Sequence, residues 1–254
     1  MSDNHTEKDD FSQIAPGVFL GKKFAGETLA MLVTRFRRTL SLSESVPVTY
    51  AGRLDPMAQG EMILLLGEAC KKKDQWLLHD KVYECTIVFG IATDTYDMLG
   101  ILTQYAPRKI SKEALISVLQ AIIGTQSLRY PPYSSKPVDG VPLFHHARAG
   151  TLPSDLPVKE GEVYEAILLS LEDKKVESVI DEAVATIEKV VGDFRQEAIL
   201  TQWASYQNSE DFVTVASVRF TVSSGVYIRS LGVLLGEALG IPAVVTNINR
   251  TKIL

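Results

Sequence analysis

The sequence predicts an α+β domain. Apolar residues recur at helical spacing over some stretches and alternate, or run together briefly, over others, which separates helices from strands. The two kinds of segment follow one another irregularly, with no internal repeat and no low-complexity linker. That order is the pattern of a mixed α+β domain. At 254 residues and 46% hydrophobic, the chain has material for one large domain or two small ones.

Taken in order, residues 1–13 are polar and mixed in charge, without the basic start and apolar centre of a signal peptide. They are expected to form a flexible, solvated tail, with the folded domain spanning 14–254. Residues 17–26 suggest a short strand and turn. Residues 27–40 read as a helix with Leu29, Leu32, Val33, Phe36 and Leu40 on one face and Arg35 and Arg38 on the other. Met62-Ile63-Leu64-Leu65-Leu66, ending at Gly67, is short and wholly apolar, as in a buried strand. Residues 81–90 alternate, with Tyr83, Cys85, Ile87 and Phe89 sharing a face. On periodicity alone Tyr83 is a core tyrosine whose hydroxyl needs a partner. Residues 111–123 form a helix with Ser111 as N-cap and Gly124 as stop. Residues 130–140 are a Pro, Gly and Ser-rich loop of the kind that often carries function. A helix over 176–191, a strand over 212–222 broken by Ser223-Ser224-Gly225, and a helix over 226–239 complete the reading. Arg229 falls in the first turn of that last helix, where a cation opposes the macrodipole, so a carboxylate is expected beside it.

The net charge of −5 and pI near 5.5 count against a general nucleic-acid binder but leave room for a local basic groove. The clusters Lys22, Lys23, Arg35, Arg37, Arg38 and Lys71, Lys72, Lys73 are more often solvated faces than phosphate tracks. Cys70 and Cys85 show no metal-like spacing and read as free thiols of a reducing cytoplasm. The four histidines form no ligand cluster, and no metal is expected. No apolar run is long enough to span a bilayer.

Chemistry concentrates in Tyr50-Ala51-Gly52-Arg53-Leu54-Asp55-Pro56-Met57-Ala58-Gln59-Gly60. Pro56 pushes Asp55 out of helical backbone, and the buried run that follows anchors the turn. Asp-Pro by itself is a turn signal, and alone it favours a carboxylate that only caps the turn. The whole segment, continued by Gly67-Glu68-Ala69-Cys70-Lys71-Lys72, resembles the catalytic motif of the TruB family of pseudouridine synthases, which isomerise a uridine in the TΨC loop of tRNA.

Four further segments resemble the family in the same order. They are Lys81-Val82-Tyr83-Glu84, Gly90-Ile91-Ala92-Thr93-Asp94-Thr95-Tyr96-Asp97, Pro131-Pro132-Tyr133-Ser134-Ser135-Lys136 with Ala147-Arg148-Ala149-Gly150, and Ser224-Gly225-Val226-Tyr227-Ile228-Arg229-Ser230-Leu231. The resemblance implies a mixed, mainly antiparallel sheet flanked by helices, with a central active-site cleft, and no cofactor. It implies Asp55, Tyr83 and Arg229 as catalytic residues, and Tyr50, Arg53, Tyr227, Lys23, Lys136 and Arg148 as substrate-binding ones. The implied partner is the T stem-loop of tRNA, its target uridine at tRNA position 55, for a cytoplasmic monomer. Two departures stand out. Phe24 follows Lys23 where the family has a Lys-Pro pair, and Tyr50 stands where the catalytic segment commonly begins with histidine. Many members continue into a small RNA-binding PUA domain; with the chain ending at Leu254, none is expected here.

Making pseudouridine requires breaking the N1–C1′ bond, turning the uracil and rejoining it through C5. A carboxylate near C1′ can act as nucleophile or stabilise charge, and an arginine beside it favours its charged form. A flat aromatic face, Tyr83, keeps the detached base in place. The competing reading is an RNA-binding or RNA-folding protein with a vestigial synthase site; the joint presence of Asp55, Tyr83 and Arg229 weighs against it. A glycoside hydrolase built on Asp55 would need a second carboxylate motif, and none stands out.

Overall fold

The computed structural model describes residues 11–254. In chain order they form β1 (Phe11–Ala15), β2 (Val18–Lys23), α1 (Leu29–Thr39), β3 (Val48–Ala51), β4 (Gln59–Leu66), a 3-10 turn (Gly67–Lys72), α2 (Lys73–Leu77), β5 (Lys81–Phe89), β6 (Ile91–Thr93), β7 (Leu102–Tyr105), α3 (Lys112–Ala121), β8 (Gly124–Arg129), β9 (Pro137–Val138), β10 (Val141–Pro142), α4 (Leu143–Ala149), β11 (Val158–Lys175), α5 (Val176–Ile187), α6 (Gln196–Ala204), β12 (Phe212–Val222), α7 (Ile228–Leu239) and β13 (Ala243–Ile253). Nine strands make one sheet in the order β1-β2-β4-β13-β5-β12-β11-β8, with β3 beside β4. Its pairings are antiparallel except β4 with β13, which run parallel through Asn249↔Gln59 and Arg250↔Gly60. The expected mixed, mainly antiparallel sheet is the observed one.

Alternation decides which face each strand buries. In register, Tyr83, Cys85 and Ile87 of β5 oppose Phe220, Val218 and Ala216 of β12. These residues join one core with Leu115 and Leu119 of α3 and Leu231 and Leu235 of α7. Val88, Val215 and Val244 point the other way, onto Val179 and Ile180 of α5 and Trp203 of α6. Helix α7 sits close on β13 because Gly232 carries no Cβ; one built there would lie 2.5 Å from a Val245 methyl. Thr28 and Ser111 cap α1 and α3 by accepting from Met31 N and Ala114 N.

Several expectations need adjusting. Residues 1–10 of the expected tail lie outside the described residues, but Phe11, Ser12 and Gln13 are already in β1, paired with Gly21, Leu20 and Phe19. Phe11 is buried; a single aromatic in a polar segment gave no period to detect. The 18-residue β11 was not foreseen. It lies near the sheet edge, where many of its side chains face water, so its apolar pattern is diluted. Among the described residues no helix is long and apolar enough to cross a membrane.

Candidate active site

The β3–β4 hairpin is joined by a loop over residues 52–58 that carries Asp55. Ala58 N donates to Asp55 O at 3.0 Å and closes the turn. From beneath, the Lys23 ammonium donates to Ala58 O (2.6 Å), Pro56 O (3.1 Å) and Phe24 O (3.2 Å). Gly26 N adds a second bond to Pro56 O at 2.9 Å. From β13, Arg250 donates through Nε to Glu61 O at 2.6 Å and through Nη1 to Arg53 O at 3.4 Å. Gly60 lets the β13 backbone come this close: with φ of +119°, a Cβ there would fall 2.2 Å from Arg250 O.

Lys23, which the resemblance implied as substrate-binding, is not among the residues that line the cleft described below. It is fully buried, with its ammonium taken up by the Pro56 and Ala58 carbonyls of the Asp55 loop and by the carbonyl of its neighbour Phe24. Burial pulls its pKa down to about 8, partly offset by the charges of Glu27 and Asp55 and reinforced by Arg250. Its place is that of a strut for the loop.

Arg229, in the first turn of α7 and only 2% exposed, closes on Asp55 from the far side of the fold. Nη2 donates to Asp55 Oδ1 at 3.0 Å, and Nε lies 2.8 Å from Oδ2, an ion-pair contact without the alignment of a hydrogen bond. The rest of the guanidinium is spent on Thr95 O (2.7 Å) and Tyr133 O (3.3 Å), with Asp97 Oδ2 at 3.5 Å from Nε. Burial disfavours the charge on Arg229, but Asp55 and Asp97 outweigh it and hold the group more firmly protonated. For Asp97 the balance goes the other way. Burial raises its pKa to about 6 against the opposing pull of Arg229, with Asp55 adding to the rise. Asp97 is itself fixed by Thr95 Oγ1 and Leu99 N.

Asp55 opens on a cleft of about 810 Å³, the size of a pocket for one small ligand. Tyr83, Tyr227, Tyr50, Arg53 and Arg148 line it with Asp55. Tyr83 belongs both to the core and to the cleft, 7% exposed, with its hydroxyl 3.5 Å from Arg250 Nη1. Tyr227 packs edge-on against Tyr130; burial, then the charge of Asp55, raises its pKa. Lys136 stands outside the cleft lining, its ammonium 5.3 Å from the Tyr130 ring centroid. Among the described residues no group of three or more His, Cys, Asp or Glu side chains could hold a metal ion.

Three residues of the site escaped the sequence reading. Asp97 could have been found by asking what neutralises a buried Arg229, since it sits in the quoted Thr-Asp-Thr-x-Asp segment. Arg250 shares the inward period of Ile248 in β13, and a cation at an inward strand position is a signal that was open to reading. Arg195, which also lines the cleft, carried no such signal. It lies beyond the helix predicted over 176–191, in a segment with no periodicity of its own.

Residues 37–187 match the model of "TruB family pseudouridylate synthase (N terminal domain)". A "tRNA pseudouridine synthase B" of Aromatoleum aromaticum is 29% identical over 241 residues, covering 95% of this chain and 64% of that protein. One of Acholeplasma laidlawii is 35% identical over 148 residues, covering 58% of this chain and 52% of that protein. The chain thus spans between half and two thirds of the length of these relatives. A solved H/ACA RNP bound to a substrate RNA containing 2′-deoxyuridine shares the fold, with TM-score 0.54 at 17% identity, over 91% of this chain and 45% of that one.

Proposed function

The chain belongs to the TruB family of pseudouridylate synthases, and we propose that it isomerises a uridine of tRNA, at position 55 in the TΨC loop, to pseudouridine. The observation that carries this reading is the buried Arg229 clamped on Asp55 at the floor of a cleft one nucleotide could enter. A uridine in a folded loop must be flipped out to reach such a floor. Asp55, one third exposed, presents its carboxylate to the sugar while Arg229 holds both oxygens from the protein side. As the N1–C1′ bond breaks, the carboxylate takes or balances the charge at C1′. The freed uracil turns against the Tyr83 ring, C5 bonds to C1′ as any bond from C1′ to the carboxylate opens and Asp55 is released, and the proton lost from C5 is matched by one gained at N1. In this reading the Tyr83 hydroxyl helps to move it.

The relatives' printed names support tRNA as the substrate class. The test is tritium release from C5-labelled uridine in a tRNA transcript, compared with an Asp55→Asn control. Release confined to the TΨC-loop uridine is expected. Binding of tRNA without release above the control would replace this reading with that of an RNA-binding protein.

A further inference from the structure

We propose that Arg195 is a phosphate-binding residue of the cleft, delivered by the excursion between β11 and β12 and taking a phosphodiester of the RNA; this rests on the RNA-modifying reading above. Strands β11 and β12 are adjacent, antiparallel and paired to their ends, with Lys175 opposite Phe212 and Val176 N bonded to Asp211 O. A hairpin could join them in a few residues. The chain instead leaves for residues 176–211 and builds α5 and α6 on the opposite face of the sheet. The turn between these helices reaches over to the cleft. Val191 N donates to Gly26 O, Arg148 Nη2 donates to Asp193 O at 2.7 Å, and Asp193, Phe194 and Arg195 join the lining.

Arg195 is built for more than connection. It caps α6 in left-handed backbone, φ 64° and ψ 27°, and its side chain makes no cap hydrogen bond. For a residue other than glycine that conformation costs on the order of 1–2 kcal/mol, and a non-glycine held there is a pointer to function. Its guanidinium is pinned flat. Nη1 donates to Asp94 Oδ2 at 2.8 Å, Nη2 donates to Oδ1 at 3.2 Å, and the Tyr133 ring centroid is 4.2 Å away. A guanidinium carries five N–H donors, and among the described residues no acceptor meets the others here. Part of the Asp94 charge is already engaged by Ile101 N. The side chain is 27% exposed on the cleft side of the fold. A planar cation with spare donors, oriented by Asp94 and the Tyr133 ring, matches the fork geometry that phosphate accepts. The bland alternative is a strut that only fastens the Asp94 loop.

The two roles differ in salt dependence. With the whole chain and a tRNA transcript, Kd is measured across a series of KCl concentrations for wild type, Arg195→Gln, Arg195→Lys and Asp94→Asn. A lost phosphate contact should raise Kd about tenfold near 0.1 M salt and reduce the slope of log Kd against log salt by about 0.7–0.9. That is expected for Arg195→Gln, while Arg195→Lys and Asp94→Asn, which keep the cation, should retain the wild-type slope. Equal slopes for the Gln and Lys variants would overturn the proposal and leave Arg195 a strut, whatever happens to turnover. Should wild type bind tRNA with a normal slope yet release no tritium, the functional reading fails while the phosphate site stands.

Discussion

The loop that carries Asp55 is tied to the core by Lys23, Arg229 and Arg250, none of them more than 2% exposed, whereas the cleft wall built on Arg195 and Arg148 is tied by side chains that reach solvent. There Arg195 and Asp94 are each 27% exposed, and Arg148 is exposed while it holds Asp193 O. Solvent-screened pairs of the second kind contribute about 0–1 kcal/mol each. Breaking a buried charge network of the first kind costs about 3–5 kcal/mol, because it strands the remaining charge. The Asp55 carboxylate is therefore fixed, and the wall facing it can adjust at small cost.

The sharpest break in that comparison is Asp55→Asn. The amide is nearly isosteric and can still accept from Arg229 Nη2, so the loop should stay in place. Turnover should fall by about 10⁴-fold or more, a loss of about 5.5 kcal/mol of transition-state stabilisation, with tRNA Kd within about threefold of wild type. Pseudouridine formation persisting in the pure variant would remove Asp55 from the mechanism.

Next come two glycines, one in β4 next to the Asp55 loop and one in the β9–β10 turn ahead of α4. Gly60→Ala adds a methyl 2.2 Å from Arg250 O in a backbone with φ of +119°, and should cost about 3–4 kcal/mol in urea unfolding. Gly140→Ala, in the turn between β9 and β10, keeps the left-handed strain at φ 78° but meets nothing within 4 Å. Its cost should stay near 1 kcal/mol. Equal losses would mean that the close approach of β13 to Gly60 adds nothing to the cost of left-handed backbone.

Asp97 tests the buried network through pH. Its folded pKa of about 6 lies above the ordinary 3.8, so the folded state binds its proton more tightly than the unfolded chain does. The resulting stabilisation is complete below pH 3.8 and is lost as pH rises through about 6. Against Asp97→Asn, wild type should lose up to about 3 kcal/mol of relative stability across that window. Parallel stability curves for the two proteins would show that Asp97 titrates normally.

The same contrast explains what the sequence could and could not say. Strand β12 has the predicted bounds because β-branched and aromatic residues recur along its whole length, with Ala216, Val218, Phe220 and Val222 on one apolar layer and Val213 and Val215 on the other. The Asp55 turn was readable because Pro56 and the glycines constrain it locally. What went unread depends on long-range closure. Lys23 looked like a surface cation because nothing local shows that the carbonyls of Pro56 and Ala58 lie beneath its ammonium. Arg195 needed the whole α5–α6 excursion to fold before it had a place at the cleft. The helix expected over 226–239 begins at Ile228, two residues late. Tyr227 there is the cap and turns into the cleft, a tertiary demand that periodicity does not register.

The smallest expected effect lies at the outer edge of the adjustable wall. Lys136 is half-buried and holds its ammonium 5.3 Å from the Tyr130 ring, which in turn packs edge-on against Tyr227 at 5.4 Å. Lys136→Ala removes a partly exposed cation–π contact worth about 0.5–1 kcal/mol and leaves Tyr130 stacked, so the cleft keeps its shape. If the ammonium also meets a phosphate, tRNA Kd should rise about threefold and the salt slope should fall by about 0.7. Turnover at saturating RNA should hold, because among the described residues no contact joins Lys136 directly to the Asp55 loop. Filter binding at two salt concentrations beside single-turnover kinetics separates these. A fall of more than about tenfold in the single-turnover rate, about 1.4 kcal/mol, would mean that this edge of the wall steadies Tyr227 and through it the floor of the cleft. The division between a fixed side and an adjustable one would then have to be redrawn at Tyr130.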